Sequence, residues 1–363
     1  MAETRLLEIY NPYPQALLLD LEVSLPEESA EGGFPLVLSL SAQEGKLSLL
    51  EGSLKFGLKT GRIALSLPRG RFQPQGAELA VQPQGTEGAW LYTLPQNLTL
   101  WKGFFRRWRL GSIAPQPLPA QAAVSFRLNP EELSILDGEH LWRPDLSPNQ
   151  LAVVERLLAH FIWRHSLPDP LSGVQVAVGD LPLWQDAFSS PLPTPSLAAL
   201  TQLQQSINAV SQSAQTDLPT LAALGNLDYR RDCAGGRFLG ADLAGIEWQE
   251  SVLRHGNFRG ALLTDADLSG ADLRYCLLSG ADLSGAYLEG ANLQSANFQK
   301  SSLALANLIG ADLRGANLVG AALQQANLSG ARVEGARLGD NSGLTPEAAQ
   351  NLRERGAVWT TES

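Results

Sequence analysis

Histidine and cysteine are scarce in this chain, with four His and two Cys in 363 residues. None of them falls at metal-ligand spacing, so the sequence carries no signature of a zinc site, and no cofactor is expected. Two cysteines, Cys233 and Cys276, are too few for a disulfide framework and suit a reducing, cytoplasmic compartment. No apolar run reaches the roughly 18 residues of a membrane-spanning helix. The opening MAETRLLEIYNPYP lacks a basic stretch followed by an apolar one, and no signal peptide is expected from it. Positive charge is short as well: 27 Lys and Arg stand against 37 Asp and Glu, a net of −10, which speaks against a general nucleic-acid binder. Phosphate loops of the GxxxxGK(S/T) type, GxSxG elbows and HExxH motifs are all missing. A catalytic site assembled only in three dimensions would leave no such trace, and an enzyme in the N-terminal half stays open on that account.

What the chain does have is a five-residue period. From Gly236 to Gly339 every fifth residue is large and apolar, in a series that includes Phe238, Leu243, Phe258, Leu268, Leu273, Leu283, Leu293, Phe298, Leu313 and Leu328. There are 21 such units, with Leu at the centre of 16 and Ala two residues before the centre in 15. Five matches neither the helical period of 3.6 nor the strand period of 2. It fits a chain that turns a corner once per unit and points the large residue inward each time. Ala points inward beside it and lets the walls approach, while Gly, Asp and Asn suit the corners. Repetition at a fixed short period marks a solenoid, here a filled rod.

The units ADLSG, ANLQS, ADLRG, ANLVG and ANLSG resemble the pentapeptide-repeat family, whose consensus is A(D/N)LXX, and the layout is similar to its multi-domain cyanobacterial members. That resemblance implies a right-handed quadrilateral β-helix with four units per coil, hence about five coils and roughly 24 Å of rod at sheet spacing. It covers under a third of the chain and implies little about function, since one fold hosts many.

The remainder divides as follows. Residues 1–180 read as a β-rich domain, with alternating stretches at Leu19–Leu25, Leu36–Leu40, Leu54–Leu58, Ile63–Leu67 and Val124–Leu128, a further strand at Val174–Val178, and a helix near 148–164. Ser147, Pro148 and Gln150 have the form of a capping box opening that helix. Residues 181–217 read as a proline-rich linker and a second helix, 218–340 as the β-helix, and 341–363 as a C-terminal capping helix and tail with Thr345 as N-cap. The fold class is therefore mainly β.

Three surfaces are candidate contacts. Trp101, Phe104, Phe105 and Trp108 alternate with Lys102, Arg106, Arg107 and Arg109. The pattern is open to a peripheral membrane or partner contact, to a hairpin with snorkelling arginines, or to stacking on single-stranded nucleic acid, which the acidic balance opposes. On the rod, Arg254, Arg274 and Arg314 share one face with Asp272 and Asp312, a self-neutralised ladder or an anion and acidic-partner contact. Leu262, Leu277, Tyr287, Ile309 and Val319 are apolar at outward positions, spread over several faces. Within 236–340, 11 acidic and 8 basic residues are scattered among one another along the sequence, a net of −3 that counts against a dense acidic, DNA-like surface. The expected function is a non-enzymatic scaffold that binds a protein partner and assists a membrane-associated assembly. The alternatives are a DNA-mimicking gyrase protector, as in some members of the family the chain resembles, and an enzyme with an unrecognised N-terminal site. The C-terminal end is open to homodimerisation on the same resemblance.

Overall fold

The computed structural model describes the strands between Glu3 and Arg127, together with residues 129–165, 171–172 and 195–360. Two compact units are present, one formed by Met1–Leu141 with Phe161–Leu197, the other by Trp142–His160 with Ala198–Ser363. Among the described residues no helix is long and apolar enough to cross a membrane.

The first unit is antiparallel β. Its strands are β1 (Glu3–Tyr10), β2 (Leu17–Ser24), β3 (Phe34–Ala42), β4 (Gly45–Leu49), β5 (Gly52–Leu58), β6 (Arg62–Ser66) and β7 (Phe72–Pro74). They continue as β8 (Ala80–Pro83), β9 (Ala89–Thr93), β10 (Arg106–Ile113), β11 (Ala123–Arg127), β12 (Leu133–Glu139) and β13 (Leu171–Ser172). Three sheets result, ordered β1-β2-β3-β10-β7, β13-β11-β6-β9-β8 and β12-β5-β4. The sequence alternations at Leu19–Leu25, Leu36–Leu40, Leu54–Leu58, Ile63–Leu67 and Val124–Leu128 overlap β2, β3, β5, β6 and β11. Leu54, Phe56, Tyr92, Leu133 and Ile135 are buried in this unit. The alternation at Val174–Val178 lies outside the described residues.

In the second unit the rod is a β-helix. Parallel bridges join residues twenty apart: Arg237 to Asn257, Asn257 to Leu277, and so on up to Ala322 with Ser342. Each turn of the rod therefore takes four units. Successive turns are also tied by backbone bonds such as Phe238 N to Asn257 O (2.7 Å) and Asn257 N to Gly236 O (2.8 Å). These satisfy the main chain the way a sheet does, and the inward side chains close the interior. Ala261, Leu268, Phe258, Ala291, Leu293 and Leu313 have no exposure at all.

The corners have one geometry. The fifth residue of every unit takes a positive φ, from Gly240 (61°) to Gly335 (71°), and non-glycine residues are forced into it at Glu250, His255, Tyr275, Leu305 and others. Glycine is the low-strain choice there, since a Cβ disfavours the left-handed region.

Aromatic rings fill the start of the rod. Phe238 stacks on Phe258 with centroids 4.9 Å apart, and Trp248 meets both edge-on at 5.8 Å. The buried Trp248 indole N–H donates to Tyr229 O at 3.0 Å, so its one polar group is satisfied. Three helices belong with this end: α1 (Pro148–His165), α2 (Leu197–Gln212) and α3 (Leu218–Leu224). Ser147 N donates to Gln150 Oε1 and Gln150 N to Ser147 Oγ, a reciprocal box that starts α1. Gln150 Nε2 then ties down Val210 O and Ser213 O at the end of α2, and Asn149 Nδ2 donates to Thr216 O and Asp242 O. Glu155, only 4% exposed, pairs with Arg237 of the first unit of the rod. Arg156 donates to Asp232 O at 3.1 Å. Beyond the capping role of Gln150, nothing in the sequence pattern distinguishes these four α1 residues from the solvated side of an ordinary helix.

At the far end α4 (Pro346–Glu354) begins at Thr345, whose hydroxyl accepts from Ala348 N. After it β15 (Val358–Trp359) pairs in parallel with β14 (Arg337–Leu338). The Arg355 guanidinium donates to Leu328 O and Ala331 O, and Asn341 Nδ2 to Leu318 O and Ala321 O, so that Ala331 O and Ala321 O gain side-chain donors in place of a backbone N–H from a further coil. Leu328 departs from the expected full burial and is only half-buried. It is the last member of its inward column, with no further repeat centre twenty residues on.

Candidate functional site

Every inward position of the rod is occupied by packing, so its chemistry lies on the outward positions. The twenty-residue bridges sort these into four faces. Numbered by the bridged residue of the first coil, the faces start at Arg237, Asp242, Glu247 and Val252. Charges scattered along the sequence redistribute once placed on this grid, with no Lys or Arg left on two of the faces. The second and third faces carry Asp242, Asp265 and Asp282, then Glu247, Glu250, Asp267 and Glu289, with no Lys or Arg in their units. The first face carries Arg237, Arg259, Lys300 and Arg337 against Asp340. The fourth carries Arg254, Arg274, Arg314 and Arg332 against Asp272, Asp312 and Glu334. Lys300 stands at the corner where the first face meets the second, and Arg230, ahead of the repeats, approaches Glu247 at 3.9 Å.

On the fourth face the arginines are paired. Asp272 lies between Arg254 (3.4 Å) and Arg274 (2.7 Å), and Asp312 between Arg314 (2.6 Å) and Arg332 (3.5 Å). Hydrogen bonds from Arg314 hold the Asp312 carboxyl down at about 2, with Gln294 donating to it as well. At the corner between the fourth and first faces, His255 and Tyr275 stack with rings 5.3 Å apart.

Apolar exposure follows the acidic side. Leu262 is on the second face and Leu305 at the corner of the second and third, while Tyr287 and Ile309 are on the third. They are 47%, 62%, 52% and 37% exposed respectively. Leu277 and Val319, outward by sequence position, are instead buried at 6% and 8%. Both belong to first-face units, where larger neighbours such as Arg259, Gln299 and Lys300 surround them on the grid. Leu239, 42% exposed, is the one large apolar exposure on the first face of the rod. Tyr287 is bridged to Asn307, and Leu305 and Ile309 flank Asn307 two residues on either side, so the three stand around one point of the grid. Leu305 escaped the sequence reading because it occupies a corner, where glycine is the rule. A grid twenty residues wide would have placed it beside Tyr287.

The other sequence-derived contacts stand apart. Trp101, Lys102, Phe104 and Phe105 lie outside the described residues. Arg106, Arg107, Trp108 and Arg109 are on β10, opposite Leu40, Ser39, Leu38 and Val37 of β3. Of the two cysteines, Cys233 is buried and its thiol is pushed up to about 12 by that burial, while the Cys276 thiol donates to Leu253 O at 3.1 Å. Among the described residues no group of His, Cys, Asp and Glu is placed to hold a metal ion.

Comparison with known proteins agrees on the rod. The family model for pentapeptide repeats matches eight copies across residues 237–270, 266–304 and 301–340. A search of curated proteins gave no match. Among solved structures, a pentapeptide repeat protein from Nostoc Pcc 7120 is 34% identical, over 34% of this chain and 84% of that one, with a TM-score of 0.22. One from the cyanobacterium Cyanothece 51142 is 26% identical over 29% and 90%, with a TM-score of 0.24. QnrB1, a plasmid-mediated fluoroquinolone resistance protein, is 16% identical over 33% and 86%, with a TM-score of 0.17. With eight repeat copies and a right-handed β-helix built on the twenty-residue coil, the chain belongs to the pentapeptide-repeat family.

Proposed function

We propose that this protein is a non-enzymatic interaction or scaffold protein whose rod, about five coils long, presents partner-binding faces. One observation carries the reading: the interior is spent on packing, while every Lys and Arg of the repeats is confined to the first and fourth faces, where acids accompany them, and the second and third faces carry acids alone. Random surface drift would mix the signs, and exposed pairs contribute too little stability to require such sorting. In this reading residues 1–180 form a β-rich domain with its own contacts, and 181–217 a linker and helix. Residues 218–340 hold α3 and then the β-helix, whose bridges begin at Arg237, and 341–363 cap its C-terminal end, which is also the place for a homodimer contact. The segment from Trp101 to Arg109 supplies a peripheral contact to a membrane-associated assembly, and Arg254, Arg274 and Arg314 a contact to an acidic partner group.

A second reading, mimicry of DNA toward a topoisomerase, draws support from the seven acids on the second and third faces. The arginines of the other two faces and the apolar patch count against it. The test is in-cell cross-linking of the full-length chain in its native host, with capture and identification of adducts. A defined protein partner lost on combined charge reversal of Arg254, Arg274 and Arg314, or on reversal of the acids, supports the scaffold reading. Recovery of a type II topoisomerase supports the second. A chain that cross-links nothing specific contradicts both.

A further inference from the structure

We infer that the second and third faces form a docking surface for a basic, amphipathic segment of a partner protein, bound with a fixed polarity along the rod. The inference rests on the interaction reading above and adds the class of partner and its direction.

Its basis is the order of residues along these two faces. The first two coils offer Glu247, Glu250, Asp265 and Asp267. The third and fourth offer Tyr287, Leu305 and Ile309, with Glu289 beside them: Gly290 N donates to Ile309 O across the coil step. On these faces the first two coils carry five acids and one exposed large apolar residue, Leu262. The third carries Asp282 and Glu289 with Tyr287, and the fourth carries Leu305 and Ile309 with no acid. The balance thus shifts from acidic to apolar over the three coil steps from Glu247 to Asn307, about 14 Å at sheet spacing. Beyond them, Ala322, Gln324, Asn327 and Ser329 are uncharged. The corners beside the patch are Gly285, Gly290 and Gly310, which keep the surface low around Tyr287. Asp265 leans over Gly285 and uses the space that a Cβ would take.

Leu305 adds an independent indication. It holds a positive φ of 61° at a position where glycine is the low-strain residue, and its side chain is more exposed than buried. A large apolar residue kept in a strained backbone without burial points to use rather than to packing. Charge complementarity then fixes the occupant. A segment with Lys or Arg at one end and apolar residues at the other would set its cations over the first two coils and its apolar part over Tyr287, Leu305 and Ile309. A purely acidic surface would have no place for the apolar end, and a purely apolar one would give no direction.

The test uses the full-length chain and a fluorescent synthetic peptide with a Lys block followed by a Leu block. A peptide of the same layout with Glu in place of Lys is the control. Fluorescence anisotropy should show saturable binding of the Lys–Leu peptide that weakens as salt rises, as screening requires. Tyr287→Ser with Leu305→Ser should weaken it tenfold or more, and so should Glu250→Lys with Glu289→Lys. Arg274→Glu with Arg314→Glu, on the fourth face, should change it less than twofold. Thermal unfolding of each variant would show that the fold is retained. Absence of saturable binding, equal binding of the Glu–Leu peptide, or loss caused by the fourth-face pair would overturn the inference. Failure here alongside a host partner captured through the first or fourth face would leave the interaction reading standing. Failure in both experiments would remove both.

Discussion

Leu288 and Leu313 hold equivalent inward positions on the third and fourth faces, and both are completely buried. One residue further on, the third face presents Glu289 and the fourth presents Arg314. The two sides of the rod share an interior and differ outside it. Inward positions answer only to packing, so Leu and Ala recur wherever the coil passes. Outward positions touch others of their own unit and of the next coil, as Asp312 does with Arg314 and Arg332, and are free to specialise face by face. Fold and function are thereby written in different columns of one repeat.

The largest effect should be indifferent to side. Leu288→Ala and Leu313→Ala should each cost about 2–5 kcal/mol, the range for cavities in a packed core. Chemical denaturation followed by circular dichroism would measure both, and a large inequality would break the claim of a common interior. Next come the corners. Gly285→Ala should cost about 1–2 kcal/mol for its positive φ, with an added cost for displacing the Asp265 carboxylate. Gly240→Ala, with open space around its Cβ position, should show the strain alone.

Smaller again is the fourth-face ladder. Its carboxylate, Asp312, is held at about 2, below the ordinary value. A depressed folded-state pKa gives stability that is present above the unfolded carboxylate range and lost as pH falls through about 2. Asp312→Asn should therefore flatten the fall in melting temperature between roughly pH 4 and pH 2, at a neutral-pH cost of up to about 1 kcal/mol for a surface pair. Unchanged acid sensitivity would show that the pair contributes nothing. The smallest effect should be a gain. In Leu305→Gly the relieved strain exceeds the added freedom of the unfolded chain by less than about 1 kcal/mol. Its thermal midpoint should hold or rise while peptide binding falls. That opposite movement of stability and binding would separate function from packing at one residue.

Much of the rod was legible because its signal is periodic and redundant. Phe238, Leu268 and Leu293 announce the interior one unit at a time, and no single substitution hides it. The corner geometry was legible at Gly240 and Gly320 but not at Tyr275 or Leu305, where the backbone is imposed by the coils on either side. Leu277 and Val319 looked exposed, because outward position says nothing about how tall the neighbouring side chains are. The sorting of charge by face was present in the sequence but invisible to a linear count, since Asp267 and Asp272 are five residues apart and on different faces. Asn149 and Glu155 were not legible at all as rod contacts. Their partners, Asp242 O and Arg237, are more than eighty residues away, and polar residues on an amphipathic helix ordinarily face water. In the first unit, long alternating strands such as β2 and β3 stood out, whereas β7 and β8, at three and four residues, are too short to show a period.

The most direct test of a two-sided rod is a scan with a photo-cross-linking amino acid at eight outward positions of the full-length chain. Positions 239 and 299 sample the first face, 264 and 304 the second, 249 and 309 the third, and 254 and 294 the fourth. Each would be irradiated with the same Lys–Leu peptide. Adducts are expected at the second and third faces, with the Lys block joined at 249 and 264 and the Leu block at 304 and 309. Adducts spread evenly over the four faces, or gathered at 254 and 294, would contradict the account.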